Sequence, residues 1–164
     1  MADSIVYRVM SLADRPFVTK SWLDTAAESP QWRHVPARLF FPRHRFVVET
    51  ILARSPALIA CSADSPETIL GFVVAENDVL HYVHVKARFR HFGICRGLLE
   101  QIRLDPAACT YTHFTADARR HLLTSKRASF DPYLLFGAAH LSTAMSGGPV
   151  NGEHEQPTPG PVQG

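Results

Sequence analysis

The chain has 164 residues, 46% of them hydrophobic, and its 17 lysines and arginines against 15 acidic residues give a formal charge of +2, so it can bury one core, is short for two domains, and does not by its charge argue for nucleic acid. Cys61, Cys95 and Cys109 are odd in number and lack C-x-x-C spacing, which removes a disulfide framework and a zinc ribbon and fits a reducing, cytoplasmic setting. No apolar run approaches the roughly 20 residues of a membrane span, and the stretch from Asp3 to Asp14 has no long apolar segment of the kind a secretory signal needs, so a soluble protein without membrane partners is expected.

Ile5 to Met10 alternates as a first strand, and Asp14 followed by Arg15-Pro16 marks a helix start, after which Phe17, Val18, Trp22, Leu23 and Ala26 recur at helical spacing. Glu28 to Pro42 carries Pro30, Pro36 and Pro42 and reads as a loop. A second helix is expected from Arg43 to Arg54, with Phe46, Val47, Thr50 and Ile51 on one face and Pro56 closing it. The period then changes from 3.6 to 2. Ala57–Ser62, Ile69–Ala75 and Val79–Val85 are three β-rich runs separated by the turn residues Asp64-Ser65-Pro66 and Glu76-Asn77-Asp78, the pattern of an antiparallel meander. A helix from Gly93 to Ile102, a strand from Thr110 to Thr115 and a helix from Ala116 to Lys126 follow, and strand-helix-strand order here implies a crossover and a parallel strand pair. The expected fold is therefore mixed α/β. Residues 1–140 are expected to form one domain, and residues 141–164, dense in glycine and proline, a flexible tail.

The most informative stretch is Val83 to Leu99: a β-branched strand, then Arg90-x-x-Gly93-x-Cys95, then an apolar helical pattern. The first backbone N–H groups of a helix have no partner within it and lie at the positive end of its dipole, so this loop is suited to a phosphate or pyrophosphate. Val85, Phe89, Arg90, Gly93, Ile94, Cys95, Leu98 and Leu99 stand in the spacing of the central motif of the Gcn5-related N-acetyltransferase superfamily, which the chain resembles over roughly residues 5 to 136. Cys95 departs from the usual glycine or alanine but is small enough for the position. The short ending Phe130-Asp131-Pro132-Tyr133 further resembles divergent phage-type members.

The resemblance implies a mostly antiparallel central sheet flanked by helices, with a parallel strand pair splayed where acetyl-coenzyme A or another acyl-CoA binds as co-substrate. Backbone groups of Val83, His84 and Val85 would pair with the pantetheine amides, and those of His91, Phe92, Gly93, Ile94, Cys95 and Arg96 would cradle the pyrophosphate, with Arg90 and Arg96 adding positive charge. Tyr133, followed by Gly137, resembles the tyrosine that protonates the leaving thiolate, although Pro132 before it is unusual inside a helix.

Acetylation of an amine by direct attack benefits from a base near neutral pH. Strand alternation puts Val79, His81, Val83 and Val85 on one face and Leu80, Tyr82 and His84 on the other, and the resemblance favours His81 as base, with Glu76 and Asp78 as acidic alternatives. A buried histidine that merely hydrogen-bonds in the core is the competing reading. His81, His84 and His113 do not suggest a metal site, since residues three apart on a strand face opposite ways. No partner base identifies Cys95 or Cys109 as a nucleophile.

Three basic groups stand out: Arg38, Arg43, His44 and Arg45; Arg88, Arg90, His91 and Arg96; and Arg119, Arg120, His121, Lys126 and Arg127. Such runs are usually solvated helix faces. With Trp32, Phe40 and Phe41 beside the first, however, a nucleic-acid acceptor and a nucleobase-modifying enzyme are an alternative reading. A catalytically silent CoA-binding module is another. The amine acceptor, whether small molecule, protein or nucleobase, has no motif here; a homodimer is common among similar proteins.

Overall fold

In the computed structural model, residues 4–137 are described, so the expected boundary near residue 140 and the tail after it lie outside the described residues. Strand β1 (Ile5–Val9) is tied to the helix that follows by a two-pronged ion pair. Arg8 donates to both carboxylate oxygens of the buried Asp14 at 2.6 and 2.8 Å, and Ser11 donates to Asp14 from its backbone N–H and its hydroxyl, each at 2.7 Å. Arg8 and these Ser11 donors hold the Asp14 carboxyl far below the usual carboxylate range. A short 3₁₀ turn (Leu12–Asp14) then leads into helix α1 (Arg15–Ala27), which buries Val18, Thr19, Trp22, Leu23 and Ala26.

Helix α2 spans Ala37–Arg54 and so begins well before Arg43. Pro36, in extended conformation, caps it, and Pro42 lies inside it on the exposed side, where it cannot donate the helix bond to the carbonyl of Arg38, itself an exposed residue. The early start also changes the buried face. Phe40, His44, Val48, Ile51 and Leu52 face the core, whereas Phe46 is 70% exposed and Thr50 is exposed. His44 therefore leaves the first basic group, whose Arg38, Arg43 and Arg45 remain in solvent.

Strands β2 (Ala57–Ser62), β3 (Ile69–Glu76) and β4 (Val79–Val85) form the expected meander, and β1 pairs antiparallel with β2. Helix α3 (Ile94–Gln101) crosses over to β5 (Thr110–Tyr111), which runs parallel to β4. Helix α4 (Ala116–Thr124) leads to β6 (Ser129–Phe130), parallel to β5, and a 3₁₀ turn (Pro132–Phe136) follows. The strand order is β1-β2-β3-β4-β5-β6. Strand β5 stops at Tyr111 rather than Thr115, and Thr112 and His113 turn into the core.

The sheet is covered on both faces. Ile59, Phe72, Val74 and Tyr82 pack with α1 and α2; Ala60, Leu70, Val73, Ala75 and Leu80 pack with Leu98 and Leu99 of α3. Strand β4 does not keep simple alternation. Val74 pairs with Tyr82 but Ala75 pairs with Leu80, so His81 is an extra, unpaired residue, a β-bulge. The bulge moves Leu80 onto the face of Val83 and Val85, contrary to the alternation read from the sequence.

Gly71 of β3 marks the closest approach in the meander. A Cβ there would stand 2.6 Å from the His84 carbonyl oxygen, a backbone atom fixed by the ladder. Gly71→Ala is expected to lower stability by about 1–3 kcal/mol; an unchanged urea midpoint would show that the β3–β4 ladder yields more easily than this contact requires.

Candidate active site at the β4–β5 divergence

Strands β4 and β5 pair only at Val79 with Thr110 and Leu80 with Tyr111; the last parallel bond is from Thr112 N–H to the Leu80 carbonyl at 3.2 Å. Beyond it the two chains part. Lys86 N–H donates to the Leu70 carbonyl at 2.9 Å, and alternation then directs the backbone groups of Tyr82 and His84 towards β3 and those of Val83 and Val85 towards the edge that β5 has left. Arg90 Nε reaches the Val85 carbonyl at 3.4 Å, which places this side chain at the end of the open edge.

The edge runs into the loop before α3. His91 and Gly93 both have left-handed backbone, with φ of 71° and 78°. A Cβ on Gly93 would meet nothing within 4 Å, so glycine answers a conformational demand there rather than a steric one. The ladder of α3 opens with Gly97 N–H to the Gly93 carbonyl at 2.9 Å, so the N–H groups of Ile94, Cys95 and Arg96 have no partner inside the helix. Arg90, His91, Phe92, Gly93, Cys95 and Arg96 are exposed around these donors; the Ile94 side chain is buried in the core and can offer only its backbone.

At the point of divergence stands a buried polar chain. The bulge residue His81, 2% exposed, lies with Nδ1 3.2 Å from Thr112 Oγ1 and Nε2 3.7 Å from Glu76 Oε2. Glu76 Oε2 also accepts from Arg54 Nε and Ser55 Oγ, each at 3.2 Å, while Arg54 donates to the Leu134 and Leu135 carbonyls and pins the C-terminal 3₁₀ turn. From Thr112 the chain continues inward. Thr112 Oγ1 is 3.1 Å from His113 Nδ1, and His113 Nε2 is 3.1 Å from both Trp22 Nε1 and His44 Nε2. Aromatic rings wall it in: Trp22 stacks on Tyr82 at 4.8 Å, and Phe40 on His44 at 4.7 Å.

Burial keeps these imidazoles neutral. It pushes His44 down to about 4 and His113 well below its ordinary value, and it takes His81 to about 4 with Arg54 acting in the same sense and Glu76 opposing. An unfolded histidine binds its proton near 6.5, so between about pH 6.5 and 4 the unfolded chain holds more protons and stability falls as pH drops. The expected slope is up to about 1.4 kcal/mol per pH unit for each titrating histidine. Urea midpoints at pH 7, 6 and 5 read this directly, and equal midpoints would mean that the histidines titrate in the folded chain as they do in the unfolded one.

The structure brings His81 and Glu76 together and leaves Asp78 exposed on the turn. His84, half-buried, stacks on Phe72 at 5.5 Å. Tyr133 lies in the 3₁₀ turn, 66% exposed as a residue and with its N–H bonded to Asp131 Oδ1, so Pro132 starts a tight turn and no α-helix forms there. Cys109 is buried, and burial pushes its thiol up. Among the described residues no group of three or more histidines, cysteines and carboxylates is placed to hold a metal ion, and no helix is long and apolar enough to cross a membrane. Sequence reasoning missed Trp22, His44, Arg54 and Thr112, and weighed His113 only as a metal ligand; they lie on separate elements, and no local pattern joins them.

No family model matches the sequence, and no curated protein is a significant match. Among solved structures, apo-form YjaB from Escherichia coli is similar at 15% identity and a TM-score of 0.46, over 60% of this chain and 63% of that one, so the chain spans less than two thirds of its length. Ribosomal-protein-alanine N-acetyltransferase from Brucella melitensis is similar at 18% identity and a TM-score of 0.42, over 60% and 64% of the two chains. A candidate acetyl transferase from Pyrococcus furiosus is similar at 13% identity and a TM-score of 0.49, over 94% and 100%. The chain's own architecture, a four-strand antiparallel run, a bulged β4 parting from a parallel β5, and an Arg90-x-x-Gly93-x-Cys95 loop between them, is the mixed sheet with a splayed parallel pair that the resemblance to the Gcn5-related N-acetyltransferase superfamily implies.

Proposed function

We propose that the chain is an acyl-CoA-dependent N-acetyltransferase that moves an acetyl group to an amine by direct attack. The observation that carries this reading is the continuity of the open β4 edge with the α3 N-terminus. An extended, amide-bearing chain can add to the edge at Val83 and Val85 as a strand would, and an anionic group at its end then meets the unpartnered N–H groups of residues 94–96. Pantetheine joined to a pyrophosphate has that order of groups. Arg90 and Arg96 flank the position with positive charge.

The chemistry needs the acceptor nitrogen free of its extra proton and the thioester close to it. The His81–Glu76 pair stands at the divergence, at the inner end of the edge where a thioester carried by the pantetheine would lie. Nothing in the arrangement requires a covalent acyl-enzyme, since the hydroxyls bonded to this pair, Ser55 and Thr112, are buried.

Acetyl-CoA is expected to raise the melting temperature of the full chain, because a ligand that binds only the folded state stabilises it by mass action. Gly93→Glu puts a side chain on left-handed backbone and a negative charge beside the proposed pyrophosphate, and is expected to weaken acetyl-CoA binding at least tenfold, about 1.4 kcal/mol. Calorimetric titration of both proteins checks it, and equal affinities would remove the loop from the site.

A further inference from the structure

Two groups at the divergence could accept the amine proton, and the hydrogen-bond chain behind them separates their roles. Trp22 fixes one end. An indole N–H can only donate, so His113 Nε2, 3.1 Å away, must be the acceptor and His113 carries its proton on Nδ1. That proton is donated to Thr112 Oγ1 at 3.1 Å. The Thr112 hydroxyl then has two acceptors within reach, His81 Nδ1 at 3.2 Å and the His81 carbonyl at 3.4 Å.

Glu76 decides between them. If Thr112 donated to the carbonyl, His81 would carry its proton on Nδ1 and turn a bare Nε2 lone pair towards the Glu76 carboxylate at 3.7 Å, a repulsive contact inside the protein. With Thr112 donating to Nδ1, His81 Nε2 carries the proton and faces the carboxylate as a donor. Nε2 is buried and lacks a hydrogen-bond partner within normal reach, so its attraction to Glu76 is not diluted by a competing acceptor. In this state both nitrogens of His81 are committed, whereas the Glu76 side chain is 40% exposed and has a second oxygen outside these bonds.

We propose that Glu76 is the base of the reaction and that His81, locked as the Nε2–H tautomer by the chain Trp22–His113–Thr112, is a positioning residue that aims the carboxylate. The proposal rests on the acetyltransferase reading. As the neutral amine attacks, its nitrogen forms the bond to the acetyl carbon, the C–S bond breaks and the sulfur keeps the electron pair. The nitrogen loses one proton to the free Glu76 oxygen, and Glu76, open to water on one side, passes it to solvent or to the thiolate.

The test pairs a spectroscopic readout with a kinetic one. Long-range 15N–1H spectra of the full wild-type chain at pH 7 should place the His81 proton on Nε2 and the His113 proton on Nδ1. Thiol release from acetyl-CoA, with n-butylamine as the acceptor probe, should fall about 100-fold in Glu76→Gln, the lower end of the usual contribution of a general base. His81→Gln keeps a donor but has no basic nitrogen; it should retain kcat to within about tenfold, whereas His81→Phe should fall as far as Glu76→Gln. A His81 proton on Nδ1 overturns the lock, and His81→Gln as slow as His81→Phe overturns the assignment of the base. A wild-type chain that does not bind acetyl-CoA, or binds it and releases no thiol, overturns the transferase reading and the base with it; the tautomers stand or fall on the spectra alone.

Discussion

A single additional residue in β4 governs the site. Because His81 has no partner on β3, the strand turns about its own axis at that point, Leu80 and Val83 come to one face, and Tyr82 faces α1 and α2. The same residue marks the end of pairing with β5. Without the bulge, β4 would keep plain alternation, the parallel ladder could continue past Leu80, and no open edge would lead from the polar cluster to the α3 loop. Edge exposure is ordinarily a hazard, and here it lies inside the domain, between β4 and the segment that follows β5.

The polar chain at the bulge is costly by itself. Each buried polar atom left unpaired costs roughly 1–3 kcal/mol, and three imidazoles, a hydroxyl and an indole N–H have been taken out of water together. They are tolerable because Trp22, His113, Thr112 and His81 pass hydrogen bonds in series, and because Tyr82, Phe40 and Trp32 close around them; Trp32 lies 5.3 Å from His44. Apolar side chains of similar size would fill the space at lower risk, so a core selected only for stability would have little reason to keep this chain. Arg54 extends the same economy outward: through Glu76 and the Leu134 and Leu135 carbonyls it joins β3, the end of α2 and the C-terminal turn.

What could be read in advance follows from how local each signal is. The meander showed in its period and turn residues, and the α3 loop in Gly93 and the aliphatic pair Leu98 and Leu99, because those features lie within a dozen residues of one another. The start of α2 was hidden by Pro36 and Pro42, which look like loop punctuation although the first caps the helix and the second sits on its solvent side. The bulge was hidden altogether. VLHYVHV alternates cleanly, and only its register against β3 and the early end of β5 show that His81 is surplus. His44 looked like part of a basic run because its neighbours in sequence are arginines, while its neighbours in space are Phe40, Trp32 and His113.

The asymmetry between donor and acceptor has the same origin. A ligand held by main-chain groups needs particular backbone shapes, and backbone shape leaves marks in sequence: a glycine where φ is positive, small residues at a helix start, a β-branched strand before it. An acceptor amine is recognised by side chains gathered from irregular segments. The segment between α1 and α2 places Arg33 and His34, with Phe40 and Phe41 from the start of α2, around one surface depression, and the C-terminal turn is held to α2 by Arg54. Many unrelated combinations of side chains could recognise the same amine, so no spacing identifies one. Of these two segments, the C-terminal turn is tied to Glu76, through Arg54, so in the proposed reaction the geometry of that turn bears most directly on how an amine would approach the carboxylate.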